Sequence, residues 1–86
     1  MPEVSRFYGI VIRMYFEDHF PPHFHAYYGE HNALVNIRTM AVISGRLPAR
    51  ALGMVIEWAL LHQDELQAAW ERARNLEPPG KIDPLA

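Results

Sequence analysis

The sequence predicts an α+β domain, in which a three- to four-stranded antiparallel sheet precedes a long C-terminal helix, or two helices, packed on one face. Three observations lead there. β-Branched and aromatic residues fill the N-terminal half in short alternating runs. Proline and glycine punctuate those runs. From Pro48 onward the apolar residues recur at helical spacing instead.

The first strand is expected over residues 7–16, where Tyr8, Ile10, Ile12, Met14 and Phe16 form one apolar face. Residues 17–22 form a loop, because Pro21 and Pro22 cannot donate to a strand ladder. A second strand covers residues 23–28, and Gly29-Glu30-His31-Asn32 is a hairpin loop. A third covers residues 33–39 and a short fourth covers residues 41–43, with Gly45 ending it. Pro48 suits the first turn of a helix. Leu52, Val55, Ile56, Ala59, Leu66, Ala69, Trp70 and Ala73 then mark a buried stripe. The stripe runs to about Arg74, either unbroken or interrupted near His62-Gln63-Asp64, where Asp64 would cap a second helix. Asn75 suits a left-handed helix end. Residues 1–76 are read as a single domain and residues 77–86, with Pro78-Pro79-Gly80 and Pro84, as a tail.

Composition narrows the function classes. With 86 residues the core is thin, and pairing with a second copy or a partner is an expected source of extra stability. The formal net charge of −2 argues against a broad nucleic-acid footprint, so nucleic acid is not a favoured partner. The absence of cysteine removes disulfides and thiolate metal sites. No stretch reaches the length of a membrane span, and the first residues lack the apolar run of a signal peptide. The expectation is a soluble cytoplasmic protein.

The chemistry-bearing feature is Asp18-His19-Phe20-Pro21-Pro22-His23-Phe24-His25, which gathers three of the five histidines beside a carboxylate. On a strand, His23 and His25 project from the same face with Cβ atoms about 6–7 Å apart. Arg13, Tyr15, Tyr27, Asn36 and Arg38 are expected on that face, opposite the helix-covered face of Ile10, Ile12, Met14, Phe24, Ala26, Val35 and Ile37. Imidazole suits a divalent transition metal such as zinc or nickel, with His19, Asp18 or His31 completing the site. A metal-free alternative has His23 and His25 as base and acid on a phosphodiester, Arg13 or Arg38 steadying charge, and Tyr15 or Tyr27 orienting substrate. The plainest alternative has the histidines only hydrogen-bonding, or lining an interface beside Tyr27 and Tyr28. Phe20 and Phe24 are expected in the core, and Trp58 and Trp70 as core or interface anchors. His62 is expected to pack or meet solvent. A catalytic amine at Pro2, exposed by loss of Met1, is a further alternative.

Three segments together resemble the domain-of-unknown-function family 4160. They are Ser5-Arg6-Phe7-Tyr8-Gly9-Ile10, the histidine–proline run through Tyr28-Gly29, and Leu47-Pro48 with the helix through Glu57-Trp58 and His62. The resemblance covers nearly the whole chain. Its recurrent motif falls on Asp18, His19, Pro21, Pro22, His23 and His25. It implies a small single-domain bacterial protein, often encoded beside a small protein of family 2442 in a toxin–antitoxin-like arrangement. It carries no established catalytic residues. At Thr39-Met40-Ala41 the chain departs from the glycine-containing turn the resemblance leads one to expect. The functional expectation is therefore an interaction module, one half of a toxin–antitoxin-like pair. Its His/Tyr/Arg sheet face would meet a small partner protein or a second copy. The competing expectation is a histidine-based metal-binding or ribonuclease-like protein.

Overall fold

The computed structural model describes residues 3–16 and 18–86. Pro2 and Glu17, the first residue of the expected loop, lie outside the described residues. Five strands form one antiparallel sheet in sequence order: β1 (Glu3–Phe7), β2 (Ile10–Arg13), β3 (His23–Tyr28), β4 (His31–Asn36) and β5 (Val42–Arg46). Two helices follow, α1 (Ala49–Leu61) and α2 (Gln63–Arg74). No helix among the described residues is long and apolar enough to cross a membrane.

The strand expected over residues 7–16 is two elements. Tyr8 and Gly9 take φ values of 49° and 81° and fold the chain back, so that Phe7 pairs with Ile10. A two-residue turn with both φ positive matches the twist of the strands it joins. A second two-residue turn, Gly29 and Glu30, joins β3 to β4, so His31 and Asn32 are strand rather than loop. β4 ends at Asn36, whose side-chain oxygen accepts the backbone N–H groups of Arg38 (2.8 Å) and Thr39 (3.0 Å). Met40, at φ 63°, occupies the left-handed position that a glycine would fill, and the turn still closes from Met40 N to Asn36 O at 2.8 Å. Gly45 does not end the fourth expected strand. It lies inside β5 at φ 76°, where a Cβ would run into the Asn32 carbonyl oxygen.

Alternation places Ile10 and Ile12 of β2, Phe24 and Ala26 of β3, and Ala33 and Val35 of β4 under the helices, all fully buried. Trp58 fills the centre, its ring 5.3 Å from Phe7 and 5.9 Å from Phe24, while its indole N–H donates to the Asp83 carbonyl at 2.7 Å. The helical stripe breaks at His62, which joins α1 to α2. Asp64 lies inside the first turn of α2 and is not its cap; beside Glu65 it puts negative charge at the helix's positive end. Gln63 ties the start of α2 to the sheet by donating to the Ile37 carbonyl (2.7 Å) and the Arg38 carbonyl (3.1 Å). Asn75 has φ −92° and Leu76 instead takes the positive φ of 61°. The irregular C-terminal segment docks along β1, where Ile82 N donates to Val4 O at 2.9 Å and Ile82 is buried. β5 is left as the uncovered edge, with all five residues exposed.

Candidate metal centre

The site forms where the loop over residues 18–22 runs into β3. A cis Phe20–Pro21 bond lies in that loop. Its end is anchored by Ile37 N donating to the Pro22 carbonyl at 3.0 Å. Earlier in the same loop, Asp18 lies over the first residues of β3. Strand alternation gives His23 and His25 the same side of the sheet, and their ring centroids lie 5.3 Å apart.

Both imidazoles turn toward one oxygen. Asp18 Oδ2 lies 3.0 Å from His25 Nε2 and 3.2 Å from His23 Nε2. The first contact is a hydrogen bond, with His25 as donor. The second is not, because its direction is wrong, and His23 Nε2 is left buried without a hydrogen-bond partner. The reason lies at the other ring nitrogen. His23 Nδ1 meets the Pro21 carbonyl at 2.7 Å. A carbonyl only accepts, so Nδ1 carries the hydrogen and Nε2 of the neutral ring is a bare lone pair. A lone pair facing a carboxylate oxygen in a buried place is unfavourable unless a proton or a cation joins them.

A cation fits the spacing. Ligand atoms about 2.1 Å from a common metal and about 90–110° apart are separated by about 3.0–3.4 Å. The two separations from Asp18 fall in that range, and the ligand atoms of Asp18, His23 and His25 all lie within 4.8 Å of one another. Metal-binding histidines usually donate their second ring N–H to a carbonyl or carboxylate, which the Pro21 carbonyl does for His23.

Aromatic rings wall the site. Trp70 of α2 lies 5.1 Å from the His23 ring, which leaves His23 5% exposed. His23 is thus not on an open sheet face as expected; α2 reaches its end of the sheet. Tyr15 meets the His25 ring edge-on at 4.6 Å, and Tyr27 stacks on its other flank at 6.4 Å and 10°. The two phenols share a hydrogen bond of 2.6 Å across His25. Burial, reinforced by that bond, pushes the Tyr27 hydroxyl up to about 12, so it stays neutral. Arg13, directly opposite His25 in the ladder, holds its guanidinium 5.3 Å from the Tyr27 ring centre.

The structure therefore brings together Asp18, His23 and His25, with Arg13, Tyr15 and Tyr27 beside them. It does not bring in the rest. His19 is exposed and outside the cluster. His31 sits at the far end of the β3–β4 hairpin, opposite Tyr28. Arg38 lies in the turn beyond β4, not on the sheet face. His62 binds Glu65 Oε1 through Nδ1 at 2.6 Å. Phe24 is core as expected, but Phe20 is 62% exposed, edge-on to Trp70 with the Arg74 guanidinium 4.1 Å from its ring centre. Two contributors escaped the sequence reading. The Pro21 carbonyl is a backbone group with no residue signature, and Trp70 reaches the site only through tertiary packing.

A family model described as "Domain of unknown function (DUF4160)" matches residues 9–71, which spans the sheet from β2 onward and most of α2. No curated protein and no solved structure matches the chain.

Proposed function

The chain belongs to this DUF4160 family of unknown function, and we propose, from the geometry of its own residues, that it binds a divalent transition metal through Asp18, His23 and His25. The observation that carries this reading is the buried, unpartnered Nε2 of His23, 3.2 Å from Asp18 Oδ2, on a ring whose other nitrogen is fixed by the Pro21 carbonyl. Two imidazoles and one carboxylate suit zinc, nickel or iron(II), and three protein ligands leave at least one coordination position for water or substrate. The metal-free acid–base reading is less well served. Both histidines address the same carboxylate, and His23 is too enclosed to exchange a proton with a substrate. Elemental analysis after zinc loading and dialysis tests the proposal. One zinc per chain is expected in the wild type, and none in a His23→Ala, His25→Ala double variant that retains its circular dichroism. Equal zinc content in the two proteins would overturn it.

A second reading, the interaction module, has separate support in the β5 edge. Val42 and Ile43 are exposed there beside a row of unpaired backbone groups, whereas the β1 edge is partly covered by the C-terminal segment. Such an edge accepts an added strand, from a second copy or from a small partner protein in a toxin–antitoxin-like pair. Sedimentation that shows a single chain at high concentration, and no co-purification with the product of the adjacent gene, would remove this reading.

A further inference from the structure

Beside the three ligands, the uncovered side of the sheet presents groups that a bare metal-binding site does not need. Arg13 makes no ion pair among the described residues, and its Nε is buried without a hydrogen-bond partner. It stands opposite His25 in the β2–β3 ladder, where side chains on one face have Cβ atoms about 4.5–5.5 Å apart. Tyr15 and Tyr27 cross over the same His25 and meet hydroxyl to hydroxyl at 2.6 Å. In that bond one phenol donates and the other accepts, so one hydroxyl hydrogen is left without an acceptor in the pair.

Resting on the metal reading, we infer that the uncovered side of this centre is an oxyanion subsite: a phosphoryl or carboxylate group of the substrate binds the open metal position while Arg13 and the free phenol hydrogen of the Tyr15–Tyr27 pair hold its other oxygens. Charge supports the assignment. A divalent cation outweighs the single carboxylate of Asp18, and Arg13 adds a further positive charge on the same side. The tyrosines contribute donors without adding negative charge, and no other carboxylate is grouped with the three ligands among the described residues. Guanidinium presents paired N–H donors that match two oxygens of one anion, so an Arg beside a metal whose Nε has no partner among the described residues is suited to this ligand class. The occluded His23 is the inner ligand, and His25, Tyr15, Tyr27 and Arg13 surround the side from which the anion approaches.

Cobalt(II)-loaded protein, titrated with inorganic phosphate and separately with acetate, tests this through the visible absorption of the metal. A saturable spectral change with either anion is expected. Phosphate as the better ligand assigns a phosphoryl group, and acetate as the better ligand assigns a carboxylate. Arg13→Gln is expected to weaken the anion by about tenfold or more while cobalt affinity stays unchanged, Arg13→Lys to fall between, and Tyr27→Phe to weaken the anion severalfold. If the cobalt spectrum forms and neither anion alters it, or Arg13→Gln binds the anion as well as the wild type, the inference is overturned and the metal reading stands. If no cobalt spectrum forms, both fall together.

Discussion

Asp18→Asn is the sharpest perturbation of the proposed centre, because it keeps the side-chain shape and removes the only negative charge among the three ligands. Without metal the substitution should do little. Asp18 is partly exposed, its amide replacement still offers an oxygen to the His25 N–H 3.0 Å away, and ion pairs of that kind contribute about 0–1 kcal/mol. With metal the two proteins should separate. Zinc at 100 times its dissociation constant stabilises the wild type by about 2.7 kcal/mol, which for a domain of this size raises the midpoint by about 11–22 °C. Because the three ligands lie within one short segment, the unfolded chain retains some zinc affinity, and the shift should fall toward the lower figure. Loss of a partner that merely orients a metal ligand costs about 10–100-fold in affinity, so loss of a ligand should cost at least the upper value. At the same zinc concentration the variant then gains only about 0.4 kcal/mol, or about 2–3 °C. Differential scanning fluorimetry of chelator-treated protein, with and without zinc, reads both numbers. A wild type that zinc leaves unmoved, or a variant that shifts as far as the wild type, would refute the reasoning.

Two other outcomes follow from the surrounding structure. Gly45→Ala places a Cβ against the Asn32 carbonyl at a positive φ and should cost, in urea unfolding, at least the penalty of a left-handed non-glycine residue, about 1–2 kcal/mol, so a loss under about 0.5 kcal/mol would contradict that close approach. Tyr27, raised first by burial and then by its bond to Tyr15, should ionise near pH 12 in tyrosinate absorbance, and Tyr15→Phe should bring that midpoint down. Because the folded-state value is the raised one, the stability linked to this proton is complete below the ordinary tyrosine range near pH 10 and is lost as pH rises through about 12.

The fold class was legible because alternation and helical spacing each persist long enough to be unambiguous. Turns were harder where the chain bends without the usual residues. Residues 7–16 read as one strand since every position but Gly9 suits a sheet, and Tyr8 is not a residue expected at φ 49°. β1 went unread for a related reason. Its bulge between Glu3 and Ser5 breaks the alternation, so Val4 and Ser5 are both buried. Met40 shows how tertiary packing overrides a local preference. A left-handed non-glycine residue costs about 1–2 kcal/mol, and the Met40 side chain packs against the core, where apolar burial of about 25 cal/mol per Å² can offset that cost. Leu76 also takes a positive φ but is exposed, and here the cause is local: it follows the last turn of α2 in a Schellman cap, where Glu77 N donates to Arg72 O at 2.9 Å and Leu76 N donates to Ala73 O at 3.1 Å, satisfying carbonyls at the helix end.

The site was legible to the extent that it obeys strand geometry. Two residues apart on β3, His23 and His25 had to share a side, and they do. Which third ligand joined them was open among Asp18, His19 and His31; the hairpin carries His31 away, and the loop decided for Asp18 over His19: adjacent in sequence, one turns in and the other turns to solvent. Spacing alone could not distinguish a metal site from a pair of proton carriers, because both require neighbouring imidazoles. What separates them is tautomer and enclosure. A proton carrier needs a ring open to its substrate, whereas a ligand needs a fixed lone pair. The Pro21 carbonyl holds the hydrogen of His23 on Nδ1, Trp70 closes off the ring, and the lone pair that remains is buried 3.2 Å from Asp18 Oδ2 without a hydrogen bond to it. Those two constraints come from a backbone group and from the second helix, so they arise only when loop, sheet and helix are assembled together, and they give the buried histidine the environment of a ligand.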